Sequence, residues 1–140
     1  MKVFLGGTCN GSTWRNKFIE LLDDSVEYFN PVVDNWNTEA QEKEYIEKQS
    51  SDFRLYVITP AMTGVFSIAE VVDDSNKCPN RTLLCVLSEE DDGKVFEDSL
   101  RNSIYAVEKM VAANGINIFP SLESIAKYIN GINDTLSLNK

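Results

Sequence analysis

The chain has 140 residues, enough for one hydrophobic core, with 43% of them hydrophobic and 25% charged. Thirteen Lys and Arg stand against 22 Asp and Glu, a net charge of −9. That surface repels phosphate backbones and anionic lipid and argues against a nucleic acid polymer or a membrane as partner.

There is no histidine, so His-based triads, His acid–base pairs and the commonest zinc sites are excluded. No apolar run reaches the ~20 residues that span a bilayer, and the apolar start at Val3 to Leu5 is too short for a secretory leader. Cys9, Cys78 and Cys85 are odd in number and form no C-x-x-C pair. They read as reduced thiols in a cytoplasmic protein, with Cys85 in the core.

Short apolar runs alternate with helical patterns. Val3-Phe4-Leu5 is a first strand ended by Gly6-Gly7, followed by a helix from about Thr13 to Leu22 with Trp14, Phe18, Leu21 and Leu22 as its apolar stripe. Val26 to Phe29 is a second strand. Thr38-Glu39-Ala40-Gln41 fits a capping box opening a polar second helix, a shallow and mostly solvated cover. Phe53 to Ile58 reads as a central strand buried on both faces. The third helix is expected from Thr63-Gly64 to about Ser75, buried along Val65, Ile68, Ala69 and Val72.

Thr82 to Leu87 is a fourth strand, and Ser88 to Lys94 an exposed acidic loop. The longest helix runs from about Phe96 to Ala113, with Leu100, Ile104, Val107 and Val111 inward, and stops at Asn114-Gly115. Ile116 to Phe119 is a fifth strand, and Ser121 caps a last helix. Residues 1–130 are expected to form one domain, and 131–140 a polar, frayed tail.

This alternation predicts an α/β fold: a flavodoxin-like, doubly wound, five-stranded parallel sheet in the order 2-1-3-4-5, flanked by helices. Ligands of such sheets bind beyond the carboxyl ends of the strands where the winding reverses, here between the first and third strands. Three segments meet there: Gly6 to Thr13, Asn30 to Asn37, and Thr59 to Gly64.

The first is a glycine-rich turn suited to a phosphate or sugar oxygen, though it is neither G-x-G-x-x-G nor a P-loop; a plain tight turn is the competing reading. The second offers Asp34, amides and the Trp36 indole, which suit a nucleobase, or else make an Asx-rich turn around a packing residue. Glu70 lies off the expected buried stripe of the third helix and borders the crevice; periodicity alone favours a solvated charge. Asp73 and Asp74 read as helix-end surface charges, and Asp52 lies at the opposite end of the sheet.

Phe29-Asn30-Pro31-Val32-Val33-Asp34-Asn35-Trp36 and the run Leu55-Tyr56-Val57-Ile58-Thr59-Pro60-Ala61-Met62-Thr63-Gly64-Val65-Phe66-Ser67-Ile68-Ala69-Glu70 resemble the nucleoside 2-deoxyribosyltransferase-like family, as does Val3-Phe4-Leu5-Gly6-Gly7-Thr8. The likeness extends to about Tyr128. It implies a homo-oligomer acting on a small nucleoside or nucleotide, with Glu70 as the nucleophile. It further implies Asp34 as proton donor to the base, Trp36 as stacking partner, and Gly6, Gly7, Thr8 and Ser67 holding sugar hydroxyls or a 5′-phosphate. Asn30, Thr59, Pro60, Met62, Thr63 and Gly64 complete the expected substrate-binding set.

The reaction it implies is 2-deoxyribosyl transfer between nucleobases through a covalent glutamyl-sugar, needing neither metal nor cofactor. Hydrolysis of 2′-deoxynucleosides or their 5′-monophosphates, and a non-catalytic nucleotide-binding module, are the competing readings. Two positions depart from the family's pattern. A tyrosine that orients the nucleophile is replaced by the stretch Phe4-Leu5, and an aspartate six residues before the glutamate by Gly64. The family also draws a polar residue from a neighbouring subunit's C-terminal end, for which Asn130, Asn133 and Asn139 are the candidates here.

Overall fold

A computed structural model describes residues 1–9, 11–89 and 91–138. Five parallel strands form one sheet: β1 (Lys2–Gly7), β2 (Glu27–Phe29), β3 (Phe53–Ile58), β4 (Thr82–Val86) and β5 (Asn117–Phe119). Their order is β2-β1-β3-β4-β5, as the alternation predicted. The helices are α1 (Trp14–Leu21), α2 (Thr38–Ser50), α3 (Phe66–Lys77), α4 (Asp98–Ala113) and α5 (Leu122–Leu138).

Alternation along the strands sends side chains to two cores. On one face Val3, Leu5, Leu55, Val57, Leu83 and Cys85 meet Trp14 and Phe18 of α1 and Ile125 and Ile129 of α5. On the other, Tyr56, Ile58 and Leu84 meet Val71 of α3 and Ile104 and Val111 of α4. β1, β3 and β4 are nearly continuous buried runs because helices cover both of their sides. Cys85 is fully buried, and burial pushes its thiol up to about 12, so it is a core residue.

Several local expectations give way to tertiary contacts. Asn37, rather than Thr38, caps α2, its side chain accepting from the Ala40 N–H at 2.9 Å. α3 begins at Phe66, and its fully buried residues are Val71, Asp74 and Ser75; of the expected stripe Ile68 and Val72 are half-buried against the core, whereas Val65 and Ala69 are exposed, as is Phe66. Leu21 and Leu100 also sit at the surface. α5 continues through Gly131, where fraying was expected, to Leu138. Its Asn133 is buried and donates to the Ser25 hydroxyl at 2.8 Å, while Asn130 accepts from the Asp23 N–H at 2.9 Å. Both amides are engaged within their own chain; Asn139 lies outside the described residues.

Asp91, expected in an exposed acidic loop, is buried and accepts from Ser12 at 2.6 Å. That bond ties the β4–α4 loop to the glycine-rich turn. Asn10 of that turn and Glu90 of the acidic loop lie outside the described residues.

Two glycines shape the crossing of β1 and β3. Gly6 pairs with Tyr56, and a Cβ there would stand 2.8 Å from the tyrosine ring. Gly7 has φ +112°, and a Cβ would come within 2.1 Å of the Val57 carbonyl oxygen. Gly7→Ala is expected to cost about 2 kcal/mol or more of stability, read as a lower urea midpoint, because both the dihedral and the space are wrong.

Candidate active site

Beyond the carboxyl end of β1, between the loop after β2, α2 and α3, lies a crevice made of two adjoining hollows of about 390 and 360 Å³. Trp36, Glu44, Phe66 and Glu70 line both. A hollow of similar size at the other end of the sheet, beside Met1, Asp52 and Phe53, faces the amino ends of the strands, where folds of this kind do not bind their ligands.

Glu70 projects from the inner flank of α3, and its side chain is only 13% exposed, so it is no solvated surface charge. Lys48 of α2 donates to its Oε2 at 3.0 Å and lies 3.4 Å from Asp74 Oδ2. Asp74, one turn beyond Glu70, was expected at the surface but is 2% exposed. It accepts from Arg54 Nη1 at 2.8 Å and from the Tyr56 hydroxyl at 2.5 Å.

The cause lies on β3. Arg54 and Tyr56 alternate onto the face that α3 covers, and a guanidinium buried there needs a carboxylate. Burial, reinforced by the charge of Asp74, raises the Tyr56 phenol well above its usual value, so it remains a donor. Burial also raises the Glu70 carboxyl above the ordinary 4.5. Lys48 pulls it back, and Glu44 and Asp74 push it up again.

α2 contributes more than a solvated cover. None of its residues is buried, as its polarity implied, yet Ala40, Glu44, Glu47 and Lys48 are half-buried at helical spacing. Glu44 and Lys48 therefore share the inner face, and Glu44 Oε2 accepts from the Trp36 indole at 3.5 Å. That spacing was visible in the sequence, but the charges concealed it.

Arg15 was also missed. It is 4% exposed and lines the crevice floor, donating to the carbonyls of Leu5 at 3.0 Å, Thr8 at 2.6 Å and Gly7 at 3.3 Å. Its charge has no carboxylate at ion-pair distance among the described residues.

The expected substrate-binding residues divide. Gly6, Gly7, Trp36 and Ser67 line the crevice with Glu70. Thr8, Met62 and Gly64, with Gly7 and Ser67, line a smaller adjoining hollow of about 120 Å³. Thr8 is otherwise committed internally: its hydroxyl accepts from the Thr59 N–H at 2.9 Å, and its own N–H donates to Val57. Thr59 and Pro60 are buried in the turn after β3, and the Thr59 hydroxyl accepts from the Ala61 N–H at 3.1 Å. Asn30 accepts from the Val32 N–H at 3.0 Å as an Asx turn. Thr63 and Asp34 are exposed and stand outside these linings. No cluster of three metal-ligating side chains occurs among the described residues.

Removing Asp74 leaves Arg54 charged in a dry site. Asp74→Ala is expected to cost about 3 kcal/mol in urea denaturation. Asp73→Ala, which breaks only the exposed pair with Lys77, is expected to change stability by less than about 1 kcal/mol.

No curated protein is similar enough in sequence to count as a relative. Residues 1–88, from β1 through β4, match the profile of the family described as nucleoside 2-deoxyribosyltransferase like. That span contains the glycine turn, the Trp36 loop, α2 and Glu70. With well over half its length so matched, the chain belongs to the nucleoside 2-deoxyribosyltransferase-like family.

Proposed function

We propose that this protein cleaves the N-glycosidic bond of a 2′-deoxynucleoside or its 5′-monophosphate and passes the 2-deoxyribosyl group to a second base. The observation that carries the reading is Glu70: a carboxylate in an ion pair, shielded from bulk solvent, in the crevice beyond the carboxyl end of β1.

In the first step an oxygen of the Glu70 carboxylate bonds to C1′ as the C1′–N bond breaks, and the electron pair leaves with the base. The base departs more readily if it takes up a proton. Glu44 faces the crevice beside Trp36, whereas Asp34 is exposed outside it. We therefore assign the proton donation to Glu44 in place of Asp34. In the second step a nitrogen of the incoming base attacks C1′, its proton passes to Glu44, and the ester electrons return to Glu70. Water in place of that base gives hydrolysis. Trp36 supplies a flat face for the base, and the Gly6-Gly7 turn with Ser67 supplies the sugar end of the crevice.

Incubation with deoxyinosine and adenine is expected to yield deoxyadenosine. Free deoxyribose without deoxyadenosine moves the assignment to hydrolysis, and no product from any nucleoside or nucleotide overturns the enzyme reading. Glu70→Gln should lower turnover by at least roughly 10³-fold. A 2-deoxy-2-fluoro nucleoside should leave a sugar adduct on the wild type, visible by mass spectrometry and absent from that variant.

Attack requires the anion, and burial raises the Glu70 pKa. The acid limb of adduct formation should therefore lie above pH 4.5, with rates rising as pH increases through it. Glu44→Gln should slow natural substrates by roughly 10²-fold while sparing a 2-deoxyriboside whose leaving group departs as a stable anion. Asp34→Asn should leave rates within about twofold, since a loop carboxylate outside the crevice performs no proton transfer.

A further inference from the structure

Glu70 is held from a different element than its own. Lys48 comes from α2, and its ammonium lies 3.0 Å from Glu70 Oε2, 3.4 Å from Asp74 Oδ2 and 5.7 Å from the centre of the Tyr56 ring. Its side chain is 14% exposed, so water screens the pair poorly. Asp74 is in turn fixed by Arg54 and Tyr56 from the central strand. A continuous polar chain thus runs from the middle of the sheet, through Lys48, to one oxygen of Glu70. Among the described residues no hydrogen bond reaches the other oxygen, Oε1.

Lys48 is half-buried between two carboxylates, on a helix with no fully buried residue. The arrangement makes sense if the ammonium sets both the direction and the charge of the carboxylate. We propose that Lys48 is the positioning residue of this site: it holds Oε2 of Glu70 against the Asp74–Arg54–Tyr56 cluster and leaves Oε1 to attack C1′. This inference rests on the reading of Glu70 as nucleophile.

Its consequences extend over both steps. While Oε1 attacks, the ammonium keeps the carboxylate ionised although the surroundings favour the neutral acid. When the ester breaks, the same ammonium receives the charge returning to the carboxylate, which makes Glu70 a better leaving group. The groups facing Glu70 are Lys48 and Glu44 from α2, Asp74 from α3, and Tyr56 from β3 with Arg54 behind it. Only Lys48 and Arg54 among these are cations, and only Lys48 touches the nucleophile.

The test compares Lys48→Met, Lys48→Gln and Lys48→Arg in the full chain, with folding checked by circular dichroism. The Glu70 side-chain carboxyl is titrated by carbon-13 NMR, its resonance assigned by its loss in Glu70→Gln. The pH dependence of adduct formation with a 2-deoxy-2-fluoro nucleoside is followed by mass spectrometry. Lys48→Met and Lys48→Gln are expected to move the Glu70 midpoint upward by about one pH unit, and Lys48→Arg to restore most of it. The acid limb of adduct formation should move with that midpoint. kcat should fall at least roughly tenfold while KM for the nucleoside stays within about threefold, because the Lys48 ammonium, although its side chain lines the crevice, is engaged by Glu70 and Asp74.

An unmoved titration and an unmoved pH limb in folded Lys48→Met or Lys48→Gln, with adducts still forming, overturn the role of Lys48 and leave Glu70 as nucleophile. Loss of fold in both variants, or Lys48→Arg behaving like Lys48→Met, reduces Lys48 to a structural ion pair and also overturns the proposal. No adduct on the wild type overturns the nucleophile itself, and Lys48's role with it.

Discussion

A carboxylate that stays charged away from bulk water requires cations and donors brought to it by the fold. Here that requirement is met by a cluster centred on Asp74, which gathers Arg54, Tyr56 and Lys48 within 3.4 Å and passes the constraint on to Glu70. The sheet is what makes the cluster possible. Arg54 and Tyr56 are two residues apart on β3 and so share a face, and α3 lies across that face with Asp74 and Glu70 four residues apart on one flank. Glu70 is tied through Lys48 to a cluster whose other members, Asp74, Arg54 and Tyr56, are buried.

The central strands were legible because burial on both sides leaves an uninterrupted apolar run, as in Leu55 to Ile58. Glycine and proline punctuation marked the turns, and the strand order followed from the alternation of elements. The orientation of α3 was legible only in part. Ile68 and Val72 pack against the core as their spacing implied, but Val65 is apolar yet exposed and Asp74 is acidic yet buried, so apolar spacing missed the charged part of the inner face. The available signal was Arg54: a guanidinium inside a buried strand demands a carboxylate somewhere on the covering helix. α2 failed for the same reason, since Glu44 and Lys48 sit at helical spacing but contribute no hydrophobic signal. At the C-terminal end, the buried Asn133 and its bond to Ser25 hold in the helix a segment that composition alone described as frayed.

Family membership and local chemistry meet at a departure. The tyrosine that resemblance places at the end of the first strand is missing, and Gly6 stands on β1 against the ring of Tyr56 from β3. The phenol donates to Asp74 rather than to Glu70, and the donor to Glu70 is an ammonium from α2. A hydroxyl orients a carboxylate and favours its anion through the hydrogen bond alone; an ammonium adds a full opposite charge. The family resemblance therefore points to Glu70, while the contacts around it belong to this chain.

Arg15 gives the glycine turn a property of its own. Three carbonyls at and just past the end of β1, those of Leu5, Gly7 and Thr8, converge on one guanidinium, which also stacks 4.5 Å from the Trp14 ring. The turn is thus tensioned from beneath, like a cord pegged at several points, before any guest arrives. On the proposed function, a sugar entering the crevice would meet a surface already set in shape, and little of its binding energy would be consumed in ordering the receptor.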